Sequence, residues 1–249
     1  MKAELMNRMQ EILEEAVAAK ELAGGSLLVR QHGEELCYLQ AGMADREKGE
    51  AVRRDHIYRL YSMSKPVTAA AAMVLFERGQ LDLAEPVSRY LPEFSGQLVE
   101  ENGRLVPAVR EVTVKDLLGM TSGLMYNGNP GLTGAYVTEL FRQVDERLLT
   151  DQAMTTAEIA GALGKGPLAF QPGSSWLYGT SADVLGAVVE AAAGMTFGEF
   201  LKKNIFEPLE MKDTGFFVPE EKRDRLAAAY RLNAAGELER YTQNHLGII

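Results

Sequence analysis

The first 20 residues place apolar side chains at the spacing of one helix face. An apolar residue at every third or fourth position, with charged residues between them, predicts an amphipathic helix from Met1 to Lys20. The positions on this face are Leu5, Met9, Ile12, Leu13 and Val17.

The next stretch has the composition of two short strands. Ser26–Gln31 and Glu35–Ala41 are predicted to pair as a β-hairpin across the turn His32–Glu34. The single cysteine, Cys37, lies in the second strand, where a small buried apolar side chain is the ordinary interpretation. Residues 42–56 are charged and are predicted as a loop.

The middle of the chain is mainly helical. An alanine-rich helix is predicted from Lys65 to Arg78, because Gly79 stands in the usual position after a helix end. A short helix within Glu111–Met120 begins at Thr113, a suitable N-cap. Further helical patterns cover residues 136–149, 155–163, 181–193 and 196–205.

Strand patterns return near the end. Asp213–Val218 is predicted as a strand, and Leu226–Leu232 with Glu237–Tyr241 as a second hairpin. Strands at both ends and helices between them predict a mixed α/β fold, with an antiparallel sheet flanked by helices and a mainly helical part inserted. We expect residues 1–60 and 206–249 to form the sheet-containing part. Residues 61–205 form the helical part.

Composition and charge exclude several classes of function. The chain has 249 residues, 35 acidic and 26 basic side chains, and a net charge of −9. Nucleic acid is therefore not expected as a partner, because phosphate binding needs a positive surface. No stretch approaches the run of about 18 apolar residues that a membrane span needs. The N-terminus lacks the features of a secretory signal, so the expected location is cytoplasmic as written, or extracytoplasmic if a signal was removed.

Several common chemistries have little support in the sequence. The three histidines, His32, His56 and His245, lie far apart and do not form a metal-binding pair. No G-x-S-x-G elbow exists, since Gly119–Gly123 has a threonine at its centre. One cysteine allows neither an internal disulfide nor a thiolate metal cluster. We therefore expect no metal and no cofactor.

One motif remains, Ser62-Met63-Ser64-Lys65, at the start of the alanine-rich helix. Residues three apart share a helix face, so the Lys65 amine can reach the Ser62 hydroxyl. A helix N-terminus disfavours a charged lysine and helps to stabilise an oxyanion, so a desolvated Lys65 with a lowered pKa can accept the serine proton. S-x-x-K also occurs by chance about once per chain of this size, and the alternative is a surface lysine one turn after a serine cap.

A second candidate is Tyr178, on a turn just before the predicted helix Ser181–Ala193. Its hydroxyl can pass a proton between a nucleophile and a leaving group. The alternative is a tyrosine that packs its ring and exposes its hydroxyl.

Together these motifs resemble the serine β-lactamase and penicillin-binding-protein superfamily, in the branch of class C β-lactamases, D-alanyl-D-alanine peptidases and related esterases. The similar blocks occur in order between about residue 20 and about residue 232. They are Tyr61–Lys65, Gly79–Leu83, Val87–Leu91, Val112–Leu118, Thr121–Leu124, Pro172–Tyr178, Gly186–Gly194, Ile205–Met211 and Asp213–Gly215.

The resemblance implies a β-lactamase/transpeptidase-like fold and a serine hydrolase that is acylated on Ser62. It further implies that Lys65 is the general base for acylation, that Tyr178 relays a proton, and that the Ser62 backbone N–H forms half of the oxyanion hole. The acyl donor would be a small ester, an amide, a β-lactam or a D-alanyl peptide.

Two positions and one missing motif depart from the family pattern. Thr180 stands where the family usually has asparagine two places after the tyrosine, a position that implies contact with the substrate. Met120 replaces the histidine of the loop motif. The family's Lys- or His-x-Gly triad on a late strand is not found before Ile249, because His245-Leu246-Gly247 lies too close to the second hairpin to be that strand.

The missing triad supports a second hypothesis, a catalytically impaired or non-hydrolysing binding or scaffold protein on the same fold. It also predicts a sheet that is incomplete at its C-terminal side. Since an unpaired strand edge is a template for pairing with another chain, we expect a homo-oligomer.

Overall fold

A computed structural model describes residues 3–241 of the chain. The mixed α/β class predicted from the sequence is confirmed. The helices are α1 (Ala3–Ala18), α2 (Ser64–Glu77), α3 (Val114–Leu118), α4 (Gly131–Arg147), α5 (Thr156–Lys165), α6 (Ser181–Ala193) and α7 (Phe197–Leu201). The strands are β1 (Gly24–Gln31), β2 (Glu34–Asp45), β3 (Glu50–Ala51), β4 (Leu98–Glu101), β5 (Arg104–Pro107), β6 (Tyr230–Leu232) and β7 (Leu238–Arg240).

The described residues form two compact units. One, here called the terminal unit, contains the residues up to Leu60 and those from Phe217 onward. The other, the central unit, is Tyr61–Phe216. All the candidate site residues lie in the central unit.

The terminal unit contains an antiparallel sheet in the order β1-β2-β3, against which α1 lies. His32 and Gly33 form the two-residue turn of the predicted β1–β2 hairpin, with φ values of 51° and 84° that suit a type I′ turn. Cys37 is buried in β2, as predicted. β2 runs on to Asp45 and pairs with β3, in a stretch that the sequence predicted as a loop.

N-terminal and C-terminal segments of the described chain meet within this unit. The predicted second hairpin is present as β6 and β7. The Ala228 N–H donates to the Ala44 carbonyl at 2.8 Å, and the Ala227 N–H donates to the Ile57 carbonyl at 2.9 Å. Ala44, Val52 and Ala227 form a small buried cluster between these segments.

The strand predicted over residues 213–218 is wrong. Turns and bends occupy this stretch, and the side chains of Phe216 and Phe217 are 66% and 80% exposed. A short apolar run becomes a strand only where a neighbouring strand can satisfy its backbone, and none pairs with it among the described residues.

The core of the central unit is built around α6. Residues Val184–Val189 are all buried, and α2, α3, α5 and α7 pack on this helix. Gly194, with φ of 64°, ends α6 at the predicted position. Large side chains that are almost fully buried in the core include Leu75, Phe94, Leu117, Leu185 and Phe200.

A hairpin of β4 and β5 was missed by the sequence analysis. Its turn is Asn102-Gly103, with φ values of 51° and 71°. Both central residues of a type I′ turn need positive φ, and Asn-Gly meets this need best. The Asn102-Gly103 dipeptide was therefore the sequence signal that predicts this hairpin.

No single helix of the described chain is long and apolar enough to span a membrane. The residues 181–193 and 197–206 meet the length and composition test only when taken together across a 78° bend.

Asp116 connects the start of α3 to the loop that follows this helix. Its side chain is buried and accepts hydrogen bonds from the Thr113 N–H at 2.9 Å and from the Thr121 hydroxyl at 3.2 Å. The Arg110 guanidinium donates two more, at 2.6 and 2.9 Å. Burial alone would raise the pKa of Asp116, but the hydrogen bonds from Arg110 and Thr113 outweigh burial and lower this pKa to about 2.

We expect Asp116→Asn to destabilise the central unit by about 2 kcal/mol at pH 7, since a pKa unit corresponds to about 1.4 kcal/mol. The pKa of Asp116 is lower in the folded than in the unfolded state. Its contribution is therefore complete above about pH 4 and is lost as the pH falls toward 2. Urea unfolding, followed by the fluorescence of Trp176, measures the difference at each pH.

Asp145→Asn, on the exposed surface of α4, is the matched control and should leave the free energy of unfolding unchanged. A stability difference for Asp116→Asn that stays constant from pH 6 down to pH 2 would contradict this account.

Candidate active site

Ser62 lies on a single 3₁₀ turn, Tyr61–Met63, that leads directly into α2. Tyr61 has a φ of 46°, a left-handed backbone conformation that is uncommon for a residue other than glycine. The Lys65 ammonium donates a hydrogen bond to Ser62 Oγ at 3.2 Å. The spacing of the S-x-x-K motif thus brings the two side chains together.

The Tyr178 hydroxyl lies 2.6 Å from Ser62 Oγ. The two residues are 116 positions apart in the chain. Ser62, Lys65 and Tyr178, which the sequence analysis selected from separate motifs, therefore form one hydrogen-bonded group. Their predicted catalytic roles stay predictions.

Tyr126 is a further member of the site that the sequence analysis missed. Lys65 Nζ lies 4.7 Å from the ring centroid of Tyr178 and 5.5 Å from that of Tyr126. The centroids of the two rings are 5.8 Å apart. The one available signal was the position of Tyr126 two residues after the Thr121–Leu124 block.

The charges in the site differ from the sequence-based expectation. Burial acts to lower the pKa of Lys65, but its hydrogen bonds with Tyr178 and Tyr126 outweigh burial and raise this pKa above its usual value. The expected lowered lysine pKa is thereby corrected. The pKa of Tyr178 is lowered, first by the hydrogen bond with Lys65 and then by the one with Ser62.

Asp183, in the first turn of α6, adds a negative charge to this environment. Its carboxylate attracts Lys65 and acts to raise the pKa values of Tyr126 and Tyr178. The side chain is accessible to solvent, yet enough protein surrounds it for desolvation to raise its own pKa.

Thr180 does not occupy the position that the family pattern implies. The residue is fully buried, and its hydroxyl donates to the Met125 carbonyl at 3.4 Å. A side chain enclosed in this way does not reach a substrate. The expectation of substrate contact is corrected: Thr180 holds the loop before α6 instead.

Backbone pairing between two loops positions Tyr178. The Gly173 N–H donates to the Thr121 carbonyl at 2.8 Å, and the Leu177 N–H donates to the Met120 carbonyl at 3.0 Å. A fully buried hydrogen bond joins the hydroxyls of Ser122 and Ser181 at 2.9 Å, and Ser181 follows Tyr178 by three residues. These hydrogen bonds hold the Thr121–Leu124 and Pro172–Tyr178 blocks against each other.

Gly179 allows the loops to approach. A Cβ at this position would lie 2.2 Å from the Leu124 carbonyl oxygen and 2.7 Å from Met125 Cα. Both are backbone atoms, so a side chain here forces the loops apart.

Within residues 3–241, no group of three or more His, Cys, Asp or Glu side chains could hold a metal ion. His245-Leu246-Gly247 lies outside the described residues.

Comparison with known proteins identifies the class. The family model described as Beta-lactamase matches residues 9–248, so the chain belongs to the β-lactamase family. Esterase EstB of Burkholderia gladioli is 35% identical over 226 residues, which cover 89% of this chain and 54% of EstB. ML-236A carboxylate methylbutanoyltransferase of Penicillium citrinum is 28% identical, and the match covers 90% of this chain and 54% of the transferase.

The fold is that of the serine β-lactamase/transpeptidase superfamily. The solved structure of EstCE1, described as a hydrolase with promiscuous acyltransferase activity, matches with a TM-score of 0.78 and 30% identity. The match covers 96% of this chain and 59% of EstCE1. This chain thus spans little more than half the length of the curated relatives that it matches.

We expect Gly179→Ala to slow the labelling of Ser62 by a fluorophosphonate probe on the order of 10²-fold, because the change displaces Tyr178 by an ångström or more. The rate is measured by in-gel fluorescence over time.

Gly198→Ala is the matched control, because a Cβ there meets only Phe216 Cδ2 at 3.4 Å, an ordinary contact. Its labelling rate should equal that of the wild type. Equal rates in Gly179→Ala and the wild type would refute the role of this close approach.

Proposed function

We propose that the chain carries the acyl-transfer centre of a serine hydrolase that acts on small carboxylic esters. The supporting observation is the hydrogen-bonded group of Ser62 Oγ with Lys65 Nζ at 3.2 Å and the Tyr178 hydroxyl at 2.6 Å. A nucleophile within hydrogen-bond reach of a base, with a third group that tunes the base, is the arrangement that covalent catalysis requires.

In the acylation step, Tyr178 as phenolate takes the proton of the Ser62 hydroxyl while Oγ attacks the ester carbonyl carbon. The lowered pKa of Tyr178 favours the phenolate, and the neighbouring Lys65 ammonium stabilises its charge. The tetrahedral intermediate then collapses. Its C–O bond to the alcohol breaks, and Tyr178 returns the proton to the leaving oxygen.

Deacylation repeats the sequence with a second nucleophile. Tyr178 takes a proton from water or from an acceptor alcohol, whose oxygen attacks the acyl carbon. Collapse releases the acid or the new ester, and the proton returns to Ser62 Oγ. Both hydrolysis and acyl transfer thus follow from one site.

The backbone N–H of Ser62 is the donor that we assign to the oxyanion. It lies at the start of the turn that enters α2, where the first N–H groups have no partner within the helix. Loss of one oxyanion donor typically lowers turnover by a factor of 10²–10³. Full turnover therefore requires the second donor as much as the first.

Esters are favoured over β-lactams and peptides as substrates. The relatives named above are an esterase, an acyltransferase and a hydrolase with acyltransferase activity. Thr180, in place of the family's asparagine, is buried and offers no amide group to a peptide-like substrate. An ester needs no such contact.

We expect Ser62→Ala to abolish covalent labelling by a fluorophosphonate, whereas Ser64→Ala keeps it. The hydrogen bonds from Lys65 and Tyr178 are made to Ser62 Oγ, whereas Ser64 is the first residue of α2. Intact-protein mass spectrometry measures the adduct. A folded wild-type protein that gains no adduct, from this probe or from a fluorescent penicillin, would favour the binding-protein hypothesis.

We expect Lys65→Met to shift the pH dependence of labelling to higher pH. The rate rises as Tyr178 loses its proton, and removal of the ammonium removes the largest cause of its lowered pKa. The rate of fluorophosphonate labelling between pH 6 and pH 11 gives the midpoint for each variant.

Lys65→Arg separates the two roles of the lysine. Arginine keeps the charge but cannot act as a base, so it should retain labelling with a midpoint below that of Lys65→Met. Complete loss of labelling in both Lys65→Arg and Lys65→Met would return the role of base to Lys65. Lys115→Met, on the exposed side of α3, controls for the loss of a surface charge.

A further inference from the structure

Trp176 is an exposed aromatic side chain next to the site, and the mechanism above does not use it. It is 62% exposed, and its ring centroid lies 6.5 Å from that of Tyr178. Tyr126, Tyr178 and Trp176 therefore form a row of aromatic side chains, with Tyr178 in contact with both neighbours.

The backbone directs this exposure. Leu177 packs against the core, and its N–H is bonded to the Met120 carbonyl. The residues on either side, Trp176 and Tyr178, are both exposed. The ring centroids of Trp176 and Tyr178 lie 6.5 Å apart, so the two side chains lie on the same side of this segment. An exposed large aromatic side chain at such a place marks a binding surface.

The chemistry of Tyr178 indicates which part of a substrate Trp176 meets. Tyr178 must return a proton to the leaving oxygen, so the alcohol part of the ester has to lie at its hydroxyl. The acceptor alcohol of acyl transfer enters the same place, because the second half-reaction is the reverse of the first. The ring beside Tyr178 therefore borders the alcohol and not the acyl chain.

We infer that Trp176 determines specificity for the alcohol part of the ester, as an apolar wall that favours aryl and longer alkyl alcohols over short ones. The inference rests on the proposed function. The alcohol part needs neither a charge nor a hydrogen-bonding group to be recognised by Trp176, because the indole face offers apolar contact.

Two series of esters test the inference in the full chain. For Trp176→Ala, kcat/KM for benzyl acetate should fall about tenfold, while kcat/KM for ethyl acetate stays within about twofold of the wild type. The ratio between ethyl butyrate and ethyl acetate, which varies the acyl part, should not change. Trp176→Phe should restore most of the benzyl preference.

Phe216→Ala is the control, because Phe216 is 66% exposed and contacts Phe197 rather than the site. An unchanged benzyl-to-ethyl ratio in Trp176→Ala would overturn the inference, as would a change confined to the acyl series.

A binding measurement separates this inference from the proposed function. Trp176 is the one tryptophan of the chain, so its fluorescence reports on this position alone. In Ser62→Ala, benzyl alcohol should change the fluorescence saturably and ethanol should not. A saturable change in Ser62→Ala, together with a wild-type protein that hydrolyses none of the esters, would support the subsite and reject the proposed function. A linear response to both alcohols would overturn the subsite.

Discussion

The site depends on a hydrogen bond between two residues that are 116 positions apart, Ser62 Oγ and the Tyr178 hydroxyl. Ser62 lies on a single 3₁₀ turn and Tyr178 in an irregular segment before α6, so local structure alone does not fix either side chain. The distance between Ser62 and Tyr178 is set by the packing of the elements that carry them. The buried helix α6 packs on α2, and paired backbones hold the Tyr178 loop against residues 120–125. Asp116 and Gly179 matter because both maintain this pairing.

The electrostatic character of the site follows from the same packing. Lys65 lies over two phenol rings, so its charged form is stabilised rather than its neutral form. The same contact favours the phenolate of Tyr178. One interaction therefore lowers the pKa of Tyr178 and raises that of Lys65. In the proposed mechanism the tyrosine is accordingly the base and Lys65 acts through its charge.

The sequence predicted what local rules determine. Ser62 and Lys65 share a helix face, the His32-Gly33 turn closes a hairpin, and Gly194 ends α6, all of which follow from spacing and turn chemistry. The Asn102-Gly103 hairpin was equally readable and was missed. The burial of Thr180 and the contact of Tyr126 with the site could not be predicted from the sequence, because both depend on contacts with distant segments. The direction of the Lys65 pKa shift depends on Tyr126 and Tyr178, and the residues next to Lys65 in the sequence do not indicate that these tyrosines lie nearby.

The coupling between Lys65 and Tyr178 is the central claim, and an ultraviolet titration of tyrosine ionisation tests it most directly. The chain has nine tyrosines, so the difference between the wild type and Tyr178→Phe isolates the one of interest. This account predicts that the difference curve has a midpoint below 10 and moves to higher pH when Lys65 is methionine. A difference curve with a midpoint at or above 10, unchanged by Lys65→Met, would contradict it.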